Sequence, residues 1–155
     1  MGLEIERKFL VNHTKWTATE KPKGEFYRQG YMLTDPNKTI RVRATDTKGF
    51  LTIKGKSEGA TRAEFEYEIP KEEAIQLLDM FAVSDLIKYR YKILFAEKLW
   101  EVDVFLGENE GLIVAEIELL SEDETFDLPD WVAEEVTGEK KYYNSNLSTL
   151  PFKKW

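Results

Sequence analysis

The chain repeatedly places two side chains of like charge two residues apart. Acidic pairs occur at Glu4/Glu6, Glu64/Glu66, Glu101/Asp103 and Glu116/Glu118, and basic pairs at Arg41/Arg43, Lys54/Lys56 and Lys88/Arg90. A spacing of two is the period of a β-strand, so each pair shares one face. The alternate positions are apolar, as at Ile5, Val42, Ile53, Val102 and Ile117. Any one such strand reads as a sheet with a wet face. Seven of them, sorted by sign, do not, because a solvated face ordinarily mixes charges to avoid self-repulsion. Segregated pairs call for a closed surface with a ligand between acid and base.

The same periodicity predicts eight strands: Leu3–Val11, Phe26–Leu33, Thr39–Thr45, Phe50–Lys56, Thr61–Ile69, Leu86–Phe95, Leu99–Leu106 and Leu112–Leu120. On the second, Tyr27, Gln29, Tyr31 and Leu33 are expected on one side. Turns fall at Asp35-Pro36-Asn37, Asp46–Gly49 and Ser57–Ala60, where Gly, Pro, Asn and Asp concentrate, and a further turn is read at Ala96–Lys98. Asn12–Lys23 reads as a loop holding one short helical turn. Pro70 introduces a helix over Lys71–Val83, with Glu72 and Glu73 at its positive end and an apolar stripe of Ala74, Leu77, Leu78 and Phe81. In the tail, a short helix is expected over Asp130–Val136 and another capped by Asn144. Short connections between eight strands predict an α+β, mainly antiparallel domain over residues 1–155, an eight-stranded closed β-barrel with flanking helices.

Composition narrows the chemistry. Cysteine is absent, which excludes a disulfide framework, thiolate ligands and a cysteine nucleophile. The formal net charge of −7 argues against binding nucleic acid along its phosphates. No apolar run approaches a membrane span of about 18 residues. No basic-then-apolar leader precedes Glu4, so a cytoplasmic protein is expected. The single histidine, His13, sits in a polar loop and reads as surface, not as a phosphoenzyme nucleophile.

A barrel interior lined by acid pairs and base pairs suits a small polyanionic substrate held with divalent cations. Carboxylates match hard cations such as Mg²⁺ or Mn²⁺, which bridge one or two carboxylates to phosphate. Arginine forks and lysines clamp the remaining phosphate oxygens. A lipid-carrying barrel would need an apolar interior instead.

These residues resemble the CYTH superfamily, the triphosphate tunnel metalloenzymes, and in particular its short bacterial branch. The resemblance rests on E-x-E-x-K at Glu4, Glu6 and Lys8, R-x-R at Arg41/Arg43, T-x-K at Thr52/Lys54, E-x-E at Glu64/Glu66, K-x-R at Lys88/Arg90, the acidic strand around Asp103, and E-x-E at Glu116/Glu118. It implies a barrel tunnel in which triphosphates are hydrolysed or cyclised with Mg²⁺ or Mn²⁺. It implies Glu4, Glu6, Glu116, Glu118 and Asp103 as metal ligands, and Lys8, Arg41, Arg43, Lys54 and Arg90 as phosphate ligands. Glu64 and Glu66 would orient these bases or hold a second metal. Where many relatives carry a K-R-Y segment, this chain has Lys140-Lys141-Tyr142, so Lys141 would offer phosphate a point charge in place of a fork.

Lys88, in a basic and partly desolvated site, is a candidate to assist an attacking water, with Tyr31 as its partner; the other reading of the pair is purely electrostatic. The resulting expectation is a triphosphatase acting on inorganic tripolyphosphate. A class IV-type adenylate cyclase and a thiamine triphosphatase are the alternatives, the latter with Trp16, Trp100 or Trp131 stacking on the organic group. A non-enzymatic polyphosphate-binding module would keep the bases and lose metal carboxylates, whereas all the acidic pairs are present.

Overall fold

The structure, a computed structural model, describes residues 2–35 and 37–155. Nine strands are found among the described residues: β1 Leu3–Val11, β2 Glu25–Asp35, β3 Lys38–Ala44, β4 Gly49–Gly55, β5 Thr61–Ile69, β6 Ser84–Phe95, β7 Lys98–Phe105, β8 Ile113–Glu118 and β9 Val132–Glu135. Helices are α1 His13–Ala18, α2 Lys71–Phe81 and α3 Asn144–Leu147. The turn expected at 35–37 includes Pro36, which lies outside the described residues.

The sheet runs β5-β4-β3-β2-β6-β7-β8-β1-β9, and an additional β5–β1 pairing closes the first eight strands into an antiparallel barrel. The closing seam is short: Leu3, Glu4 and Ile5 of β1 face Ala63, Arg62 and Thr61 of β5. Further along, β1 pairs with β9 through Phe9 and Val11. Its opposite edge pairs with β8 from Glu6 to Leu10. β1 thus bonds to three strands.

Alternation along each strand decides what faces in. One inward row, read through the register, is Lys92–Glu101–Glu116–Lys8 across β6, β7, β8 and β1. The next is Arg90–Asp103–Val114–Leu10, where charge gives way to apolar groups. Leu86, Phe105, Leu112 and Val114 then cluster with Tyr142 and Leu147 of the C-terminal segment. An apolar plug therefore fills one end of the barrel beneath the charged rows.

The outer face is covered in two places. Phe9, Val11, Trp16, Trp100, Val102, Ala115, Ile117 and Trp131 form a buried cluster outside β1, β7 and β8, under α1 and the segment around β9. On the far side α2 packs Ala74 and Leu78 against Val42 and Ala44 of β3. It approaches the sheet so closely that a Cβ on Gly30 would lie 2.8 Å from Leu78, while the Ser84 carbonyl at the start of β6 would be 2.7 Å away. Among the described residues no helix is long and apolar enough to cross a membrane.

Four local expectations are corrected. Residues Asp130–Val136 are not a helix: 132–135 form β9, because β1 offers a free edge to pair with once β5 has parted from it. Leu33 does not share the side of Tyr31. A bulge between Tyr31 and Leu33 resets the register, so Leu33 faces Ile40 and is exposed. Phe81 is 59% exposed and leaves the α2 stripe, because the helix ends there and the chain turns into β6. Asn144 opens α3 instead of capping it, and its side chain is used elsewhere.

Candidate active site

The charged rows enclose a cavity of about 290 Å³ inside the barrel. Glu4, Glu6 and Lys8 reach it from β1, Glu116 and Glu118 from β8, Glu64 and Glu66 from β5. Arg41 and Arg43 come from β3, Lys54 from β4, Arg90 from β6 and Tyr31 from β2. The sequence separates these residues by more than 100 positions; barrel closure brings them together.

On the acidic side, Lys54 Nζ donates to both oxygens of Glu4 at 3.1 and 3.3 Å and lies 3.2 Å from Glu64. Lys8 Nζ lies 3.5 Å from Glu116 and donates to the Tyr142 carbonyl at 3.3 Å. These cations do not neutralise the cluster. Burial, then Glu116 and Glu4, push the Glu6 carboxyl well above the ordinary range. Burial, with Glu4, Glu64 and Glu101, raises Glu118 as well. Burial raises Glu4 too, with Glu64 and Glu116 adding to it and Lys54 opposing. Burial and Asp103 work to raise Glu116, but Lys8, Arg90 and Lys88 prevail and hold it down at about 2. Unrelieved carboxylate repulsion of this kind is what a bound cation removes.

On the basic side, Arg90 forks onto Asp103, Nε to Oδ1 at 2.8 Å and Nη2 to Oδ2 at 2.9 Å. Lys88 Nζ donates to the same Oδ2 at 2.7 Å and to Asn144 Oδ1 at 3.1 Å. Burial opposes ionisation of Asp103, yet Arg90 and Lys88 hold its carboxyl well below the usual range. Complete burial pushes the Lys88 ammonium down to about 7, with Arg90 and Arg43 adding to the effect and Asp103 opposing it. Arg41 Nη2 donates to Thr52 Oγ1 at 3.1 Å, and Thr52 donates to Glu66 at 3.2 Å, so Glu66 orients Arg41 through a hydroxyl.

Three expected site residues stand apart from the cavity wall. Asp103 is 2% exposed, and both its oxygens are engaged by Arg90 and Lys88 beneath the cavity floor. Lys88 is fully buried beside it, and Asn144 lies between it and the open space. The Tyr31 hydroxyl sits 3.5 Å from Gln29 Nε2, and no hydrogen bond joins Lys88 to Tyr31 among the described residues. Lys141 is exposed on the outside, its Nζ 4.5 Å from the centre of the Trp155 ring. The aromatic C-terminus captures that ammonium, so Lys141 is not brought to the site.

Other lining groups were not singled out by the sequence. Arg62 lies at the seam, 3.8 Å from Glu4, and Tyr27 stands between two arginines. Both were within reach of the period-two rule, Arg62 preceding Glu64/Glu66 and Tyr27 preceding Gln29/Tyr31 on the same faces. Trp16, Trp100 and Trp131 all lie in the buried outer cluster and none reaches the cavity.

Residues 2–151 match the family model described as the CYTH domain. The chain belongs to the CYTH family. This CYTH chain is 50% identical to an inorganic triphosphatase of Acetivibrio thermocellus over 99% of its own length and 97% of the relative. It is 39% identical to an inorganic triphosphatase of Nitrosomonas europaea, over 94% of this chain and 96% of the other. The crystal structure of an inorganic triphosphatase superposes on the CYTH barrel with a TM-score of 0.63 at 34% identity, covering 94% of this chain and 93% of that one.

Proposed function

We propose that this CYTH barrel hydrolyses the terminal phosphoanhydride of inorganic tripolyphosphate with the help of a divalent cation. One observation carries the reading. A single small cavity holds an over-crowded set of carboxylates opposite guanidiniums, and Arg43 among the latter has no acidic partner among the described residues. That is the complement of a cation and a phosphate chain bound side by side. The names and lengths of the relatives agree with it.

The acidic donors fit Mg²⁺ or Mn²⁺. They are paired, Glu4/Glu6 and Glu116/Glu118, and among the described residues no group of three acidic side chains is arranged to hold an ion. Mg²⁺ characteristically takes one or two carboxylates and fills its shell with water and substrate phosphate. One or two carboxylates from Glu4, Glu6, Glu116 and Glu118 would hold it, and when bound it would supply charge neutralisation on phosphoryl oxygens. Asp103 serves instead as the anchor that fixes Arg90 and Lys88.

Phosphoryl transfer needs positioning and charge stabilisation more than covalent help. Arg41, Arg43 and Arg90 orient the phosphate chain, with Lys8 and Lys54 as point charges. A water oxygen bonds to the terminal phosphorus as the bond to the bridging oxygen breaks, giving orthophosphate and pyrophosphate. Lys88 Nζ, poised near neutrality and linked to the cavity through Asn144, is placed to hold the displaced proton. A chain without cysteine supports a reducing, cytoplasmic setting.

The test is turnover of tripolyphosphate, ATP and thiamine triphosphate by the purified protein with Mg²⁺ or Mn²⁺, with product identification. Orthophosphate and pyrophosphate from tripolyphosphate are expected as the dominant products. Cyclic AMP from ATP would overturn the proposal, and loss of all turnover would leave a binding module.

A further inference from the structure

Arg43 differs from the other buried and half-buried basic groups that gather at the cavity. Lys8 has Glu116, Lys54 has Glu4 and Glu64, Lys88 and Arg90 share Asp103, and Arg41 lies 3.7 Å from Glu66. Among the described residues Arg43 forms no ion pair. Its Nε donates to the neutral Gln29 Oε1 at 3.1 Å. Its guanidinium carbon lies 4.8 Å from the centre of the Tyr27 ring. The same ring has the Arg90 guanidinium carbon at 5.1 Å.

The topology explains the arrangement. β2 lies between β3 and β6, so a residue of β2 stands between the strands that carry Arg43 and Arg90. Tyr27 is 5% exposed and lines the cavity. An aromatic face attracts a guanidinium through its quadrupole, most strongly when both are desolvated. Unlike a carboxylate, it brings no negative charge that would compete with an incoming phosphate. Both cations are buried, 8% exposed each, and repel one another across the ring. Without it they would splay or collapse toward Asp103.

We propose that Tyr27 is a positioning residue for polyphosphate: its ring holds the Arg43 and Arg90 guanidiniums at a set separation and keeps Arg43 available to phosphate without a competing anion. This role rests on the triphosphatase reading above. The ring is the working part, so the hydroxyl is dispensable. The effect runs through Arg43, so it disappears when that arginine is removed.

The experiment measures tripolyphosphate binding by calorimetry in EDTA, where no turnover occurs, alongside steady-state kinetics with Mg²⁺. Tyr27→Phe is expected to bind within about 2-fold of the parent. Tyr27→Leu is expected to bind about 10-fold more weakly, a loss between that of an exposed and that of a fully desolvated cation–aromatic contact. Its KM should rise by a similar factor while kcat changes by less than about 3-fold. In an Arg43→Met background, Tyr27→Leu should add less than about 2-fold, as expected for residues acting through one another. Equal binding by Tyr27→Leu and the parent would overturn the role, as would an equal loss in Tyr27→Phe. A full further loss on the Arg43→Met background would assign the effect to the fold and also overturn it. Failure of the parent protein to bind tripolyphosphate would instead sink the functional reading, and the role with it.

Discussion

Replacing Asp103 by Asn removes one charge without changing shape, and the structure sets the cost. The carboxylate is 2% exposed and accepts three bonds, from Arg90 Nε, Arg90 Nη2 and Lys88 Nζ, at 2.8, 2.9 and 2.7 Å. Asparagine keeps one acceptor oxygen. Its amide nitrogen then confronts a cationic donor, and two buried cations lose their anion. Removing one partner of a buried ion pair costs about 3–5 kcal/mol, chiefly because the other charge is stranded. For a domain of this size about 1 kcal/mol moves Tm by about 2–4 °C, so Tm should fall by about 6–20 °C. The measurement is thermal unfolding by circular dichroism at neutral pH. Lys88→Met in the Asp103→Asn background removes one stranded charge, and the double variant should lose less than the sum of the singles. The pH dependence has a definite sign. A carboxyl whose folded pKa is depressed contributes in full above its unfolded value of about 3.9 and loses that contribution as pH falls through the folded value. The gap between parent and variant should therefore be widest above about pH 4 and shrink in acid. A variant melting within about 2 °C of the parent at neutral pH would refute the claim that Asp103 anchors this cluster.

Three further outcomes follow from the same geometry. Glu6→Gln should abolish turnover while leaving Tm unchanged or raised, since a crowded, desolvated carboxylate is removed; full activity would refute its place in the acid cluster. Adding Mg²⁺ to the parent protein should raise Tm and EDTA should reverse it, because the cation binds only the folded carboxylate cluster; no shift at millimolar Mg²⁺ would count against a metal there. In the β6–β7 turn, Ala96 and Glu97 both have positive φ, 47° and 66°. Glycine takes that conformation without strain, so Glu97→Gly should gain about 1 kcal/mol, visible as a Tm rise of about 2–4 °C.

Strand periodicity made most of the barrel legible from sequence. β1 and β5 begin and end at the predicted residues, because their alternation is unbroken and turn residues flank them. Most members of the acid and base pairs do converge on the barrel interior, since a face that is charged on seven of eight strands is shared by closing the sheet; Lys56, past the end of β4, stays exposed. What escaped depends on partners remote in sequence. Trp131, Val132 and Val136 are compatible with a helical turn; the free edge of β1 makes the segment a strand. Lys141 matches a family pattern, but Trp155, which captures its ammonium, comes fourteen positions later. Asp103 has the same spacing as the other acids, yet its register opposite Arg90 turns it from a lining group into an anchor. The plug was invisible for a related reason. Leu86, Phe105 and Val114 continue the inward faces of charged strands, and only the return of Tyr142 and Leu147 identifies that level as the closed end.

The way β1 is shared among three neighbours carries a consequence for how the molecule assembles. Its partners are Thr61–Ala63, Val114–Glu118 and the Val132–Glu135 strand, so the first strand made must wait for nearly the last segments before its edges are satisfied. Until then Glu4, Glu6 and Lys8 sit on a strand with two open edges, and the meander from β2 to β5 can form without them. Pairing at such long range is slow, and it leaves exposed edges open to other chains while it proceeds. The charged cavity is thus a product of ring closure, and a newly made chain would be structured over most of its length before it encloses that space.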